Sequence, residues 1–567
     1  MNTQLNESTM SDYTNWNLIK FSQLEEHVVK LQQRIYQAEI EGKHRKVREL
    51  QRTLLRSKAN LLISIEKVTQ YYNCGRQLNE NYYLSSKNKL KLYKKLLNEK
   101  IDDYTPKECS IKDRVYQNMV KTALEPQWEA KFEPTVYGYR PGRTNLDAVE
   151  RVFVSLNPGK KQYIFVIDFN NSFDYVNSNF ILEKIKNFPL SKLVFRWLEA
   201  GLISDNPFDK TKVLSPLLCN ILLDGLEEAL KIKYQRKSRG IKNNTHTYVY
   251  QNETTYNVSR YADKIVIMCK TKEEVNNIPN LLAPYMKNRG LTKYNSHIVN
   301  VNDGFDFIGF NFRRYKHKDS STTFICKPSN DSIKACKLEL KDMFQKMNGQ
   351  NVGTLIRKIE PIVRKYAFGW SSVVSKEIYT KLDHYIWIKT MKFLKRLHPQ
   401  KGVKWIIEQY FKPDKLGKSK NKWILTDPKS YNQLMKMSWV HIIRHAMIQY
   451  KSTPFDKNLK SYFEERAKKE FDRYNVMYRQ KLAKKQNYIC PLCGKLLVGE
   501  NQSCETHHKV PQCHGGSNEY NNLWLLHTKC HINYHKKFPA KSAIPTEEQI
   551  DNYIKEQKGL PKQISDK

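Results

Sequence analysis

The sequence predicts an α+β protein of several domains, and three observations carry that expectation. Its 567 residues exceed what a single hydrophobic core holds together. Long stretches repeat apolar residues at steps of three and four, the period of a helix, whereas Tyr163–Asp168 and Lys264–Cys269 are short, largely apolar runs of strand length. The C-terminal region gathers cysteine and histidine at the spacings of metal ligands.

From the N-terminus, Ser22 and Glu25 have the spacing of a capping box. Behind them Leu24, Val28, Leu31, Ile35 and Ala38 share one helical face. Gly42 interrupts, and the pattern resumes at Val47, Leu50, Leu54, Leu61, Ile65 and Val68. This reads as an amphipathic helical hairpin with Lys and Arg outside, in an N-terminal region 1–75 whose basic face is expected to meet RNA. Residues 76–105 are polar and Lys-rich, a loop and a short helix. A helix is predicted over Ile111–Leu124, ending before Pro126. Two strands then each carry a carboxylate at one end, Asp168 and Asp263, and such a pair can hold Mg2+. Asp306–Phe310 reads as a further strand.

From Leu355 to Tyr410 the pattern is helical and strongly basic. Arg364, Lys365 and Arg396 interleave with Trp370, Trp387 and Trp405, a mixture that suits single-stranded or structured RNA. The alternative is a helical bundle with its tryptophans in the core. Lys451–Lys485 is a charged helical connector, and 541–567 is a polar tail.

Lys and Arg number 97 against 57 Asp and Glu, a net charge of +40 spread along the chain. Such a charge points to a polyanionic partner, nucleic acid first, bound with release of counterions. Of eleven cysteines, Cys74, Cys109, Cys219, Cys269, Cys326 and Cys336 are scattered and read as reduced core thiols. The other five, Cys490, Cys493, Cys504, Cys513 and Cys530, cluster with six of the fifteen histidines, which favours metal over disulfides and a reducing compartment. No apolar run is long enough for a membrane span, so no membrane partner is expected, and the first residues lack the pattern of a secretory signal.

Cys490 with Cys493, and His527 with Cys530, form two pairs of equal gap, the spacing of a closed tetrahedral Zn2+ site of three sulfurs and one nitrogen. Cys504 and Cys513 are alternatives to His527. His507, His508, His531 and His535 remain for a second, catalytic ion, an arrangement that implies metal-assisted cleavage of a phosphodiester.

The motifs together resemble the group II intron-encoded proteins, in which a reverse transcriptase-like region precedes a maturase region and an HNH endonuclease. The resemblance rests on Val29–Arg56, Ile111–Arg114, Ala123–Ala130, Tyr137–Arg143, Val213–Ile221, Arg260–Asp263, Phe305–Phe310 and the Ile362–Tyr410 segment, and runs from about Trp16 to His535. It implies right-hand polymerase fingers and palm over 76–315, a helical maturase or thumb domain over 316–450, and a zinc-stapled ββα-metal nuclease domain over 486–540. The connector 451–485 is then a DNA-binding candidate.

The departures from the family pattern matter. Active members carry two adjacent Asp residues after Tyr-Ala, whereas Lys264 follows Asp263 here. A lysine removes a carboxylate oxygen and repels the ion. The family's Gly-Thr-Pro-Gln-Gly-Gly segment is replaced by Phe208-Asp209-Lys210-Thr211-Lys212, and its Arg-Pro-Leu-Gly-Ile-Pro stretch is reduced to Thr105–Ser110. Asp168 and Asp263 therefore read as a vestigial polymerase site in a degenerate palm.

In the nuclease, the resemblance implies His508 as general base, oriented by Asn522. It implies His507, His531 and His535 as ligands of a catalytic Mg2+ or Mn2+, and Glu505 as a support for the first strand through an ion pair. The expected function is a maturase that assists splicing of its group II intron RNA and nicks double-stranded target DNA at the intron insertion site, with reverse transcription lost. A working polymerase supporting intron retrohoming, or an RNA-binding splicing factor with an inactive nuclease, are the alternatives. A homodimer is compatible with the sequence. Richness in Lys, Asn, Ile and Tyr matches AT-rich coding and an organelle-encoded chloroplast protein, with a mitochondrion or a bacterial cytoplasm as alternatives.

Overall fold

The computed structural model describes residues 15–16, 19–69, 84–106, 110–169, 176–201, 213–242, 245–319, 321–413, 421–475, 477–498, 504–539 and 542–558. The chain divides into two compact units, Met1–Lys457 and Asn458–Lys567. Among the described residues no helix is long and apolar enough to cross a membrane.

The N-terminal pattern folds as three helices, Phe21–Ile40, His44–Arg56 and Lys58–Thr69, and not as a two-helix hairpin, because Ser57 takes an extended conformation and breaks the second limb. The expected capping box is absent: the first helix starts at Phe21, so Ser22 already lies inside it. All three helices pack on a longer one, Ile111–Lys131. That helix runs through Pro126 and does not stop before it. Proline leaves the carbonyl four residues back without its usual donor, and Gln32 Nε2 supplies one to Thr122 O at 2.9 Å. The long helix begins in a capping box of its own, Ser110 with Asp113. Within 76–105 the described residues form a helix, Ser86–Leu97, and a short turn, Ile101–Asp103.

Four antiparallel strands make the central sheet, in the order Asn257–Tyr261, Lys264–Cys269, Tyr163–Asp168, Asn295–Asn300. Alternate residues Phe165, Ile167, Ile265 and Ile267 enter one hydrophobic cluster that also holds Leu24, Leu54 and Val120. The N-terminal helices and the sheet thus share a core. Asp306–Phe310 is not one strand. Ile308 and Gly309 both have positive φ, 42° and 86°, and form a two-residue turn between Phe305–Phe307 and Phe310–Lys316. Further along the chain come the helices Asn330–Lys346, Val352–Gly369, Lys376–Leu397 and Val403–Tyr410.

In the second unit the charged stretch forms two helices, Lys460–Tyr474 and Met477–Lys485, followed by a cysteine knuckle, the hairpin Cys504–His508 with Leu523–His527, and the helix Thr528–Lys537. Leu482 and Ala483 enter the core of this unit, so the stretch read as a connector packs onto the hairpin strand Leu523–His527. The side-chain amide of Gln486 completes the attachment: Oε1 accepts from Leu525 N at 2.8 Å and Nε2 donates to Leu525 O at 3.0 Å. The polar tail contains a helix, Glu547–Lys558, whose Tyr553 is buried against Tyr534 and Phe538.

Candidate metal centres

The palm turn is tightly braced. Tyr261 pairs with Lys264, leaving Ala262 and Asp263 as a two-residue loop with Ala262 at φ 57°. A Cβ on Gly138 would collide with the Ala262 backbone, so only glycine admits this approach. Asn220 Nδ2 holds Gly138 O at 2.8 Å. Asp168 and Lys264 are direct cross-strand partners, and Lys264 Nζ donates to Asp168 Oδ2 at 3.0 Å. Burial, and after it the Asp168 charge, push the buried Asp263 carboxyl up to about 6. The structure therefore brings both sequence-identified carboxylates to one place, together with an ammonium. Residues 208–212 and 107–109, where the sequence departs from the family pattern, lie outside the described residues.

The second unit holds two clusters. Ligand atoms of Cys490, Cys493, His527 and Cys530 lie within 4.8 Å of one another. Gly494 N donates to Cys490 O at 2.9 Å and Cys490 N to Lys495 O at 2.8 Å, folding the first pair into a knuckle. The His527 ring is set by its far nitrogen: Nε2 lies 2.9 Å from Leu496 O, which leaves Nδ1 facing Cys493 Sγ at 3.3 Å and Cys530 Sγ at 3.8 Å. Hydrogen bonds from Cys493 and Cys530 hold the Cys490 thiol well below the usual range, while Cys490 and Cys493 hold Cys530 well above it. Three sulfurs this close need a cation before all three shed their protons. Three sulfurs and one imidazole are a donor set that Zn2+ fits. Cys504, an alternative ligand by sequence, points instead to Leu497 O at 3.1 Å, and Cys513 lies exposed in a turn.

In the other cluster, ligand atoms of His507, His531 and His535 also lie within 4.8 Å of one another. His507 comes from the first strand of the hairpin, and the other two stand one turn apart on the following helix. Each helical imidazole is tied at Nδ1. Glu505 Oε2 takes His531 Nδ1 at 2.6 Å, and Phe538 O takes His535 Nδ1 at 3.3 Å. Their Nε2 atoms face each other at 3.1 Å. His507 is 2% exposed, and its Nε2 has no hydrogen-bond partner among the described residues. Burial, then the His531 and His535 charges, push His507 down to about 3, and burial lowers His535 too. Neutral imidazoles with inward lone pairs are ligands in waiting. The set fits a divalent ion. Imidazoles suit a transition metal better than Mg2+, which prefers oxygen.

One expectation about a side chain is corrected. Asn522 does not orient His508. Its Oδ1 accepts from Val510 N at 2.8 Å, and its Nδ2 donates to Val510 O at 3.1 Å and Ser517 O at 2.8 Å, clamping the loop between the strands. The clamp is close because a Cβ on Gly516 would collide with the Val510 carbonyl oxygen. Asn518 Oδ1 contacts His508 Nε2 instead, at 2.9 Å. Glu505, expected to support the first strand through an ion pair, pairs with His531 on the following helix. Only a polar residue just past the Gly-Gly turn could have pointed to Asn518, and that is a weak signal.

The RNA-binding candidates are scattered. Trp370 is 5% exposed and cannot stack on a base, while Trp387 is half-buried against His384. Arg364 pairs with Glu360 and Lys365 with Glu339, and Arg396 is exposed beside Asn348. Trp405, Trp423 and Tyr431 are the accessible aromatics of this region, at 36, 48 and 63%. Trp423 and Tyr431 lie beyond the Leu355–Tyr410 segment that the basic and aromatic pattern marks out.

Comparison with known proteins agrees with this layout. Family models match the N-terminal domain of reverse transcriptase over 16–96, reverse transcriptase (RNA-dependent DNA polymerase) over 99–312, the group II intron maturase-specific domain over 333–411, and HNH endonuclease over 490–537. Protein YkfC of Escherichia coli is 30% identical over 240 residues, 37% of this chain and 63% of that protein. Maturase-like protein 1 of Euglena gracilis is 24% identical over 269 residues, 45% of this chain and 52% of that protein. The group II intron-encoded protein LtrA of Lactococcus lactis is 32% identical over 143 residues, 22% of this chain and 23% of that protein. The chain thus spans less than two thirds of each of these relatives. Reverse transcriptase, maturase and HNH domains follow one another in a single polypeptide, and by that order the chain belongs to the group II intron-encoded proteins.

Proposed function

We propose that this protein is a group II intron maturase that assists splicing of its intron RNA and nicks one strand of double-stranded DNA at the intron insertion site, and that it no longer copies RNA. The contrast between the two metal centres carries this reading. In the palm, the Lys264 ammonium pairs with Asp168 where a third carboxylate would be needed, so the carboxylates do not fit a divalent ion. In the terminal unit three imidazoles converge, His507 and His535 held toward their neutral forms and Nε2 of His507 without a partner among the described residues.

The splicing chemistry belongs to the RNA. The protein supplies positive charge and a fixed frame, from Arg45, Lys46, Arg52 and Arg56 on the exposed face of the second helix and from the lysines around Trp405 and Trp423. In the nuclease, His508 takes a proton from water, the water oxygen bonds to phosphorus, and the bond from phosphorus to the leaving sugar oxygen breaks. An ion held by His507, His531 and His535 would supply positive charge to the phosphate and to that leaving oxygen. Zn2+ held by Cys490, Cys493, His527 and Cys530 would staple a unit too small to be stable on its apolar core alone. The intron would lie in an organellar or bacterial genome.

The test uses a supercoiled plasmid carrying the joined exon sequences that flank the gene's own intron, and the precursor RNA. The full chain accelerates splicing at limiting Mg2+ and nicks the plasmid with Mn2+. His508→Ala lowers nicking by on the order of 10²- to 10⁴-fold and leaves splicing intact. Nicking that survives His508→Ala unchanged would sink the nuclease assignment. Primer extension above the Asp263→Ala background would sink the polymerase assignment.

A further inference from the structure

We infer that Asn518, backed by Gln512, is the positioning residue for His508: it accepts the Nε2 proton and so turns Nδ1 toward the water to be activated. The inference rests on the nuclease reading for its kinetic consequence but on geometry for its content. Asn518 Oδ1 lies 2.9 Å from His508 Nε2. An amide oxygen is an acceptor only, so a hydrogen bond at this distance requires the proton on Nε2. The orientation of the Asn518 amide is fixed in turn. Gln512 Nε2 donates to the same Oδ1 at 3.0 Å, a contact that an Asn518 flipped to present its NH2 group would turn into a clash of donors. Gln512 Nε2 also lies 3.3 Å from His508 Nε2, the longer of the two contacts there, so the oxygen sets the tautomer.

The loop that carries both amides is itself held. Asn522 clamps Val510 and Ser517, the residue before Asn518, and Gly516 N donates to Pro511 O at 3.1 Å. A general base with both ring nitrogens exposed would sample two tautomers and several ring orientations. One with Nε2 tied keeps its lone pair on Nδ1 in a single direction, which lowers the reorganisation needed for proton transfer. Asn522 thus acts on the loop backbone, and Asn518 on the imidazole.

Two measurements on the full chain test this. In protein labelled with 15N-histidine at pH 8, with the His508 signal identified from His508→Ala, His508 carries its proton on Nε2, and Asn518→Leu converts it to a mixture. A proton on Nδ1, or a tautomer indifferent to Asn518→Leu, overturns the inference whether or not the plasmid is cut. In plasmid nicking, Asn518→Leu lowers kcat by about 10- to 100-fold with KM unchanged, and Asn518→Asp, which keeps an acceptor oxygen, restores most of it. In a His508→Gly background driven by added imidazole, Asn518→Leu has no further effect, because a residue acting through His508 is silent once His508 is gone. A full loss in that background assigns Asn518 to the loop fold alone and overturns the proposal. If His508→Gly itself cuts normally, the nuclease reading fails, and the 15N tautomer still decides the Asn518 contact.

Discussion

The palm and the terminal unit each gather polar side chains that the family uses to hold metal ions, yet they have settled their charges in opposite ways. In the palm the positive charge is covalently part of the chain, since Lys264 is the direct cross-strand neighbour of Asp168 and reaches it at 3.0 Å. In the terminal unit the internal partners reach only the outer nitrogens of His531 and His535. His507 Nε2 is buried without a partner among the described residues, and the Cys490 and Cys530 thiols are pushed in opposite directions. A buried polar atom left unpaired costs free energy, so a fold that keeps one invites a ligand, whereas a fold that has paired it internally does not need one. The proportion of internal pairing, more than the residue types present, is what separates the two centres.

The largest expected effect separates the two units outright. Structural Zn2+ in small domains contributes on the order of 10 kcal/mol to folding. Extraction with a strong chelator, or Cys490→Ser, is therefore expected to abolish the melting transition of the terminal unit while the transition of residues 1–457 stays in place. Calorimetry on the full chain with and without Zn2+ checks this. Two transitions that move together, or a terminal unit indifferent to chelation, would break the contrast at its root.

A smaller effect tests how the second cluster is held. Glu505 fixes the His531 tautomer from outside the cluster, through Nδ1 at 2.6 Å. Outer partners of metal-bound histidines are worth about 10- to 100-fold in metal affinity. Glu505→Gln is expected to weaken Mn2+ binding by that factor, read by electron paramagnetic resonance titration, and to lower nicking only at limiting Mn2+. Unaltered Mn2+ affinity would leave Glu505 the role in the strand that its position first implied.

Much of this organisation is legible in the sequence, and the parts that are not share a physical cause. The four soft ligands and the two helical histidines can be read because their geometry is local. Equal gaps of two residues make knuckles, and His531 and His535 one turn apart fall on the same helix face whatever surrounds them. The palm carboxylates can be read because Asp168 ends one strand and Asp263 sits in the turn immediately before another. The features that escape depend on partners distant in sequence or on the path of a loop. Pro126 predicts a helix end, and it is Gln32, far away in the chain, that donates to the carbonyl the proline leaves without its usual partner. The sequence marks Asn522 as the partner of His508, and the path of the Gly515-Gly516 turn brings Asn518 to it instead. Trp370 reads as an RNA platform until tertiary packing buries it. The tail reads as polar because few side chains, Tyr553 and Ile554 with the ion pair of Glu556 and Lys537, carry its attachment.

The subtlest effect bears on the retired side of the comparison. In a polymerase that holds divalent ions, the acidic residue after Tyr-Ala is indispensable. Here Asp263 is buried, and its folded carboxyl sits at about 6 against an ordinary 3.8. The folded chain therefore binds that proton more tightly than the unfolded chain does. Below pH 3.8 both states are protonated and the carboxyl costs nothing. As the pH rises toward about 6 the unfolded state gains by ionising first, so the stability of this unit falls across that window and then levels off. At neutral pH the penalty is on the order of 3 kcal/mol, since each pKa unit corresponds to about 1.4 kcal/mol. Asp263→Asn, isosteric and uncharged, is expected to raise the stability of the first unit at pH 7 by up to about that amount. It should change little at pH 4 and flatten the pH dependence between. Urea unfolding at both pH values measures it. A substitution that destabilises at pH 7, or whose effect on stability at pH 7 depends on added Mg2+, would mean that the palm still uses Asp263 as a ligand, and the two centres would then differ in degree and not in kind.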